Sequence, residues 1–160
     1  MLTPHLSDSG GWRQTHIGHW LRLALAHFDA RVMALMAQHP AVSLGLSNLV
    51  ARGQVGAAHI HITRHLSSGG SRLTDLAERA GMTKQAMGAL VNQCEAWGMV
   101  SRAPDPTDGR AQQVRFTATG LAWLGAYQDA VAQAESELRL GIGDEVATVI
   151  AIGLEAYGGQ

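Results

Sequence analysis

The chain has 160 residues, 46% of them apolar and 16% charged, with a formal net charge of −1. These proportions fit one domain with a real core and exclude an intrinsically disordered chain. No run of about 18 apolar residues predicts a membrane span, the opening MLTPHLSDSGG lacks the pattern of a secretory signal, and a single cysteine, Cys94, excludes an intramolecular disulfide and points to a reduced, cytoplasmic setting.

Residues 1–11 read as a flexible arm, small and polar, ending in Gly10-Gly11. From Trp12 a helix is expected, because Ile17, Leu21, Leu25, Phe28, Val32 and Leu35 recur at three- and four-residue steps. His39-Pro40 should end it, since the residue before proline avoids the helical region. Leu44, Leu46, Leu49 and Val50 follow in a loosely patterned segment interrupted by Gly45 and Gly53. Residues 54–66 predict a further helix carrying Val55, Ile60, Ile62 and Leu66.

Ser67-Ser68-Gly69-Gly70 is the clearest loop. After it, Leu73, Leu76, Ala77 and Ala80 form an apolar stripe on a short helix, and Gly81 suits a tight turn. Thr83 is a good N-cap for the next helix. In that helix Met87, Leu90, Val91, Cys94 and Trp97 share one side, with Gly98 as the stop. MVSRAPDPTDGRAQQVRF then reads as two strands around a turn of Pro, Asp and Gly. Thr117 caps a long helix with Leu121, Leu124, Tyr127, Val131 and Leu138, which Gly141 and Gly143 should break, and residues 144–157 form a last helix.

A net charge near zero argues at first against a nucleic-acid partner, but the charge is unevenly placed. Residues 1–117 carry eleven positive and seven negative groups, and residues 118–160 carry one positive and six negative. The segment 71–117 is only +1 by itself. All eight histidines lie at or before His65.

Two short helices joined by a tight turn and followed by a β-hairpin make a winged helix-turn-helix. The fold class expected is mostly α with a small β-hairpin wing. On the second helix, Gln85, Gly88, Ala89 and Asn92 fall opposite the apolar side. That face has no bulky apolar residue and no carboxylate. Gln85 and Asn92 are amides able to bond adenine edges in pairs, while Lys84 and the helix N-terminus suit phosphate. At the hairpin tip Asp108 and Arg110 stand two residues apart. An arginine there can enter a narrow, negative minor groove, and a neighbouring carboxylate can hold its guanidinium in place. Arg102 and Arg115, on the two strands, can add phosphate contacts.

The stretch LTDLAERAGMTKQAMGALVNQCEAWGMVSR, the wing PDPTDGR and the FTATG after it resemble the MarR family of transcriptional regulators. The D-x-R of the wing followed by a T-x-x-G helix start carries the resemblance most specifically. It implies a homodimer built from the N- and C-terminal helices, binding a pseudo-palindromic double-stranded operator. The family's wing arginine maps onto Arg110 and its paired aspartate onto Asp108, and its recognition-helix contacts map around Thr83, Lys84, Gln85 and Asn92. The resulting DNA-binding set is Thr83, Lys84, Gln85, Ala89, Asn92, Arg102, Asp108 and Arg110. Residues 12–53 and 118–160 are then expected to dimerise, and residues 54–117 to form the DNA-binding lobe. The chain departs from a strongly basic reader: Lys84 is its only lysine, Gly88 sits in the recognition helix, and Asp75 and Glu95 lower the local charge.

The family also places small ligands between the dimer helices and the DNA-binding lobe, and some members sense zinc. His16 with His19, and His61 with His65, have spacings that share a helix face. With Trp20 they are the candidates for a pocket taking an aromatic or anionic effector. No metal or cofactor is expected, because cysteine ligands are absent and carboxylates are rare in that region. Cys94 should be an inert buried thiol; the family's peroxide sensors carry a reactive cysteine on the first helix, and this chain has none there. No nucleophile elbow, Walker loop, C-x-x-C or H-E-x-x-H is present, so no enzyme activity is expected. The alternatives to a DNA-binding repressor are a dimeric winged-helix interaction module without DNA and a zinc-responsive regulator using the N-terminal histidines.

Overall fold

A computed structural model describes residues 11–109 and 111–159. Residues 1–10 of the expected N-terminal arm and Arg110 therefore lie outside the described residues, as do the side chains of Ile60 and His61. Helices α1 (Trp12–Thr15), α2 (Ile17–Gln38), α3 (Leu44–Ala51) and α4 (Ala57–His65) lead into a two-residue strand β1 (Ser71–Arg72). Helices α5 (Leu73–Arg79) and α6 (Lys84–Ala96) follow, then strands β2 (Val100–Pro104) and β3 (Gln112–Phe116). Two further helices, α7 (Ala118–Ile142) and α8 (Asp144–Gly158), complete the chain. The architecture is the expected one, mostly helical with a small wing.

Local chemistry explains the boundaries. The helix expected from Trp12 is broken at His16, which is extended and caps α2 by accepting a 3.2 Å hydrogen bond from the His19 amide on Nδ1. A side chain able to cap competes with helical continuation at its own position. His39-Pro40 ends α2 as expected. The segment read as loosely patterned is helical instead, because Ser43 caps α3 while Leu46 and Val50 turn into the core. The helix expected over 54–66 is shorter, beginning only after Gly56.

The turn between α5 and α6 needs a positive φ at Gly81, +63°, and the Met82 amide closes it on the Ala77 carbonyl at 2.9 Å. Thr83 caps α6 by accepting from the Ala86 amide at 3.2 Å. The wing is a three-stranded antiparallel sheet, not a lone hairpin, in the order β1-β3-β2, with Ser71 opposite Val114 and Arg102 also opposite Val114. A two-residue strand has no periodicity, so only its pairing reveals it.

The T-x-x-G start of α7 is a close-packed joint. Thr117 accepts from the Gly120 amide at 3.1 Å and donates its hydroxyl to the Gly98 carbonyl at 2.5 Å. A Cβ on Gly120 would stand 1.9 Å from the Met99 carbonyl oxygen, so only glycine fits there. Gly141 does not break α7; the helix runs through it to Ile142 and stops at Gly143, whose φ is +90°.

One core joins α2 and α7 to the winged lobe. Val32 and Met36 of α2, Ile62 of α4, Leu76 of α5, Met87, Val91 and Cys94 of α6, and Trp123 of α7 are all buried in it. Trp123 donates from Nε1 to the buried Thr63 hydroxyl at 3.1 Å, so its polar edge is satisfied. Arg31 of α2 holds Glu137 of α7 in a two-point ion pair at 2.6 and 2.8 Å. By contrast, α8 buries only Ala147, while Val149, Ile152 and Tyr157 are 70%, 61% and 78% exposed.

Candidate nucleic-acid interface

Helix α6 presents two faces of different chemistry. Met87, Val91 and Cys94 are fully buried, and Leu90 and Trp97 are half-buried against the same core. Opposite them Lys84, Gln85, Ala89 and Asn92 are exposed. Gly88 is half-buried against α5, where a Cβ would meet Leu73 Cδ2 at 3.7 Å, an ordinary contact. The Cys94 thiol is pushed up to about 12 by burial, which keeps it protonated and unreactive.

The wing packs beside this face. An open groove of about 350 Å³ runs between α5, the start of α6 and the sheet, lined by Arg72, Thr74, Lys84, Arg102 and Gln112 among others. Three cationic side chains thus converge on one concave surface next to the exposed face of α6. Arg102 is not a loose strand cation. Its guanidinium is paired with Glu95 and donates to Asn92 Oδ1 at 2.6 Å. Glu95, expected only to dilute the charge, instead aims an arginine.

The turn of the wing is fastened from below. Asp105, almost wholly buried, accepts from Arg72 Nε at 2.7 Å, from the Thr107 amide at 2.8 Å and from the Thr107 hydroxyl at 2.7 Å. These hydrogen bonds, those from Thr107 first, hold its carboxyl well below the usual carboxylate range. Asp108 was expected to orient Arg110. Arg110 lies outside the described residues; the Asp108 carboxylate also stands 3.7 Å from Arg72 Nη2. Sequence reading missed Arg72 and Asp105, because their contact spans 33 residues. Arg115 stays at the sheet, donating to Gln113 Oε1 at 3.2 Å beneath Gly70.

The histidine candidates are divided. His16, His19 and Trp20 form a row of tilted and edge-on rings with Trp12 at the exposed start of α1 and α2, spaced 5.2–6.2 Å. His65 ends α4, which reaches α2 through Arg64, 3.5 Å from Asp29. Asp29 lies about 14 Å along the helix axis from Trp20. Arg64 also donates to the Tyr127 hydroxyl at 3.2 Å, making a polar junction of α2, α4 and α7 that sequence reading did not single out. Among the described residues no three His, Cys, Asp or Glu side chains converge as a metal site would require.

Residues 56–111 match the model of the MarR family. The matched segment is the winged lobe, from the start of α4 to the wing turn. About nine-tenths of the chain shares its fold with several solved regulators. A structure of the transcriptional repressor CouR bound to a 23-mer DNA duplex superposes with a TM-score of 0.69 at 20% identity, covering 92% of this chain and 96% of that one. CouR from Rhodococcus jostii RHA1 bound to p-coumaroyl-CoA gives 0.64 at 20% identity, over 90% and 92%. Wild-type MarR from E. coli, in the apo form, gives 0.61 at 19% identity, over 88% and 96%. No curated protein matches the sequence. Among the described residues, no helix is long and apolar enough to cross a membrane.

Proposed function

We propose that the protein is a homodimeric, sequence-specific DNA-binding transcriptional regulator, acting as a ligand-responsive repressor on a pseudo-palindromic operator. The observation that carries this reading is the exposed polar face of α6 beside a groove lined by Arg72, Lys84 and Arg102, within a lobe that matches the MarR family model. In this reading Gln85, Ala89 and Asn92 meet base edges in the major groove. Thr83, Lys84 and Arg102 lie toward phosphate. Asp108 steadies the wing, and Arg110 enters the flanking minor groove.

Dimerisation rests on the apolar surface left by the ends of the chain. Ile17, Trp20 and Leu25 of α2 and the exposed row of α8 are too extensive for a monomer's surface. A second copy covers them through residues 12–53 and 118–160, and a two-fold axis then sets two copies of residues 54–117 on successive half-sites. The concentration of negative charge in residues 118–160 keeps that half away from DNA. An aromatic or anionic effector between the dimer helices and the lobe respaces the two readers; the ring row of His16, His19 and Trp20, with His61 and His65, is the proposed place. The structure of CouR with p-coumaroyl-CoA supports an effector of this kind.

Selection of bound sequences from random duplex, with the salt dependence of binding, tests the reading. Enriched half-sites about one helical turn apart and a steep salt slope are expected. A negligible slope would leave an interaction module without DNA.

A further inference from the structure

Arg72 occupies an unusual position. Its backbone belongs to the sheet, pairing with Gln113, and immediately precedes α5, the first helix of the helix-turn-helix. Its side chain reaches the opposite way, into the turn of the wing, with Nε on Asp105 and Nη2 toward Asp108. Asp105 in turn gathers the Thr107 amide and hydroxyl, while its own amide donates to the Ala111 carbonyl at 2.9 Å and the Ala111 amide donates to the Asp108 carbonyl at 2.8 Å. The wing turn is therefore fastened to Asp105 from both sides, Thr107 through its carboxylate and Ala111 through its backbone, and that carboxylate is tied to the base of α5. A forked guanidinium suits this task, since two nitrogens engage two carboxylates along different directions; an ammonium offers a single point.

We infer that Arg72 is the positioning residue of the wing: through Asp105 it sets the placement of the wing tip relative to the recognition helix, and so decides base preference at the outer flanks of the operator. This rests on the DNA-binding reading above. A hairpin tip held only by its own turn swings freely at its far end, and a group aimed at a narrow groove must be held to within fractions of an ångström to contribute. Arg72 acts on the flanks through Asp105 and Asp108.

The test pairs Arg72→Met, which keeps the stem, with Asp105→Asn, each alone and combined with Arg110→Ala. In the free protein the Thr107 and Ala111 amides should exchange about tenfold faster in either variant. Unchanged exchange overturns the inference whatever the DNA does. On the selected operator each variant should lose about tenfold in affinity in the wild-type background and almost nothing further in the Arg110→Ala background, because both changes disable one device. An equal loss in both backgrounds would make Arg72 a phosphate contact and overturn the inference, as would retained flank preference in Arg72→Met. If Arg72→Met fails to fold, Asp105→Asn supplies the same readings. Wild-type protein without salt-dependent binding would overturn the DNA-binding reading itself, separately from the exchange result.

Discussion

Arg102 on β2 donates from Nη2 to Asn92 Oδ1 on α6 at 2.6 Å, and Glu95 one turn further along α6 holds the same guanidinium. A strand of the wing therefore occupies an amide of the recognition helix. Paired recognition of adenine uses the amide oxygen as acceptor and the nitrogen as donor. In Asn92 the oxygen is engaged, whereas no side-chain hydrogen bond to another described residue holds Gln85. Gln85→Ala is expected to cost about 1–3 kcal/mol at one operator position and to relax preference there. Asn92→Ala should cost less in base preference. Titration of operators altered one base pair at a time separates the two, and an equal loss would mean that Arg102 lets go of Asn92 on binding.

The wing arginine carries a different prediction. Arg110→Ala should weaken operator binding by about 1–3 kcal/mol, most at A·T-rich flanks where the minor groove is narrow. Titration at fixed salt measures this, and wild-type affinity in the variant would remove the wing from the mechanism.

Two glycines in similar helical settings should respond oppositely to alanine. Gly88→Ala meets only Leu73 at 3.7 Å, so the helix gains up to about 1 kcal/mol. Gly120→Ala drives a methyl into the Met99 carbonyl, and the displaced backbone should cost about 3 kcal/mol or more. Chemical denaturation of the three proteins gives both signs at once.

Cys94 should resist thiol reagents at pH 8 in the folded protein, because burial holds its thiol up to about 12. Labelling should appear only with unfolding, at a rate that follows denaturant. Fast labelling of native protein would place Cys94 outside the core and return it to consideration as a sensor.

The Arg31–Glu137 pair predicts an acid transition between α2 and α7. The hydrogen bonds from Arg31 and then Gln133 lower the Glu137 carboxyl from 4.5 to about 2. A carboxyl lowered on folding stabilises the native state above its usual range, and that contribution is lost as pH falls through the folded value. The melting temperature of Glu137→Gln should therefore lie below wild type at pH 7 and approach it between pH 4.5 and about 2. A gap that stays constant with pH would show that the pair adds nothing.

What the sequence by itself determined is the local grammar of the reader. Thr83 and Thr117 announce two helix starts through caps only a few residues long, Gly81 and Gly98 mark turns by their positive φ, and the period of Met87, Val91 and Cys94 separates the two faces of α6. These are interactions between near neighbours, so residue order alone encodes them. The tertiary structure alone decided the rest. Strand β1 exists only because β3 lies alongside it, and α3 only because Leu46 and Val50 have a core to enter. Arg72 finds Asp105, and Arg102 finds Asn92, across turns whose geometry no period reveals. Local propensity costs the chain nothing to express early, whereas a contact across 33 residues forms only once closing the loop between its ends has been offset by packing. The net charge of −1 belongs to the same lesson: its smallness in the reader was visible in the order of residues, but only the fold showed that the few cations present are aimed, by Glu95, Asp105 and Asp108, at one surface.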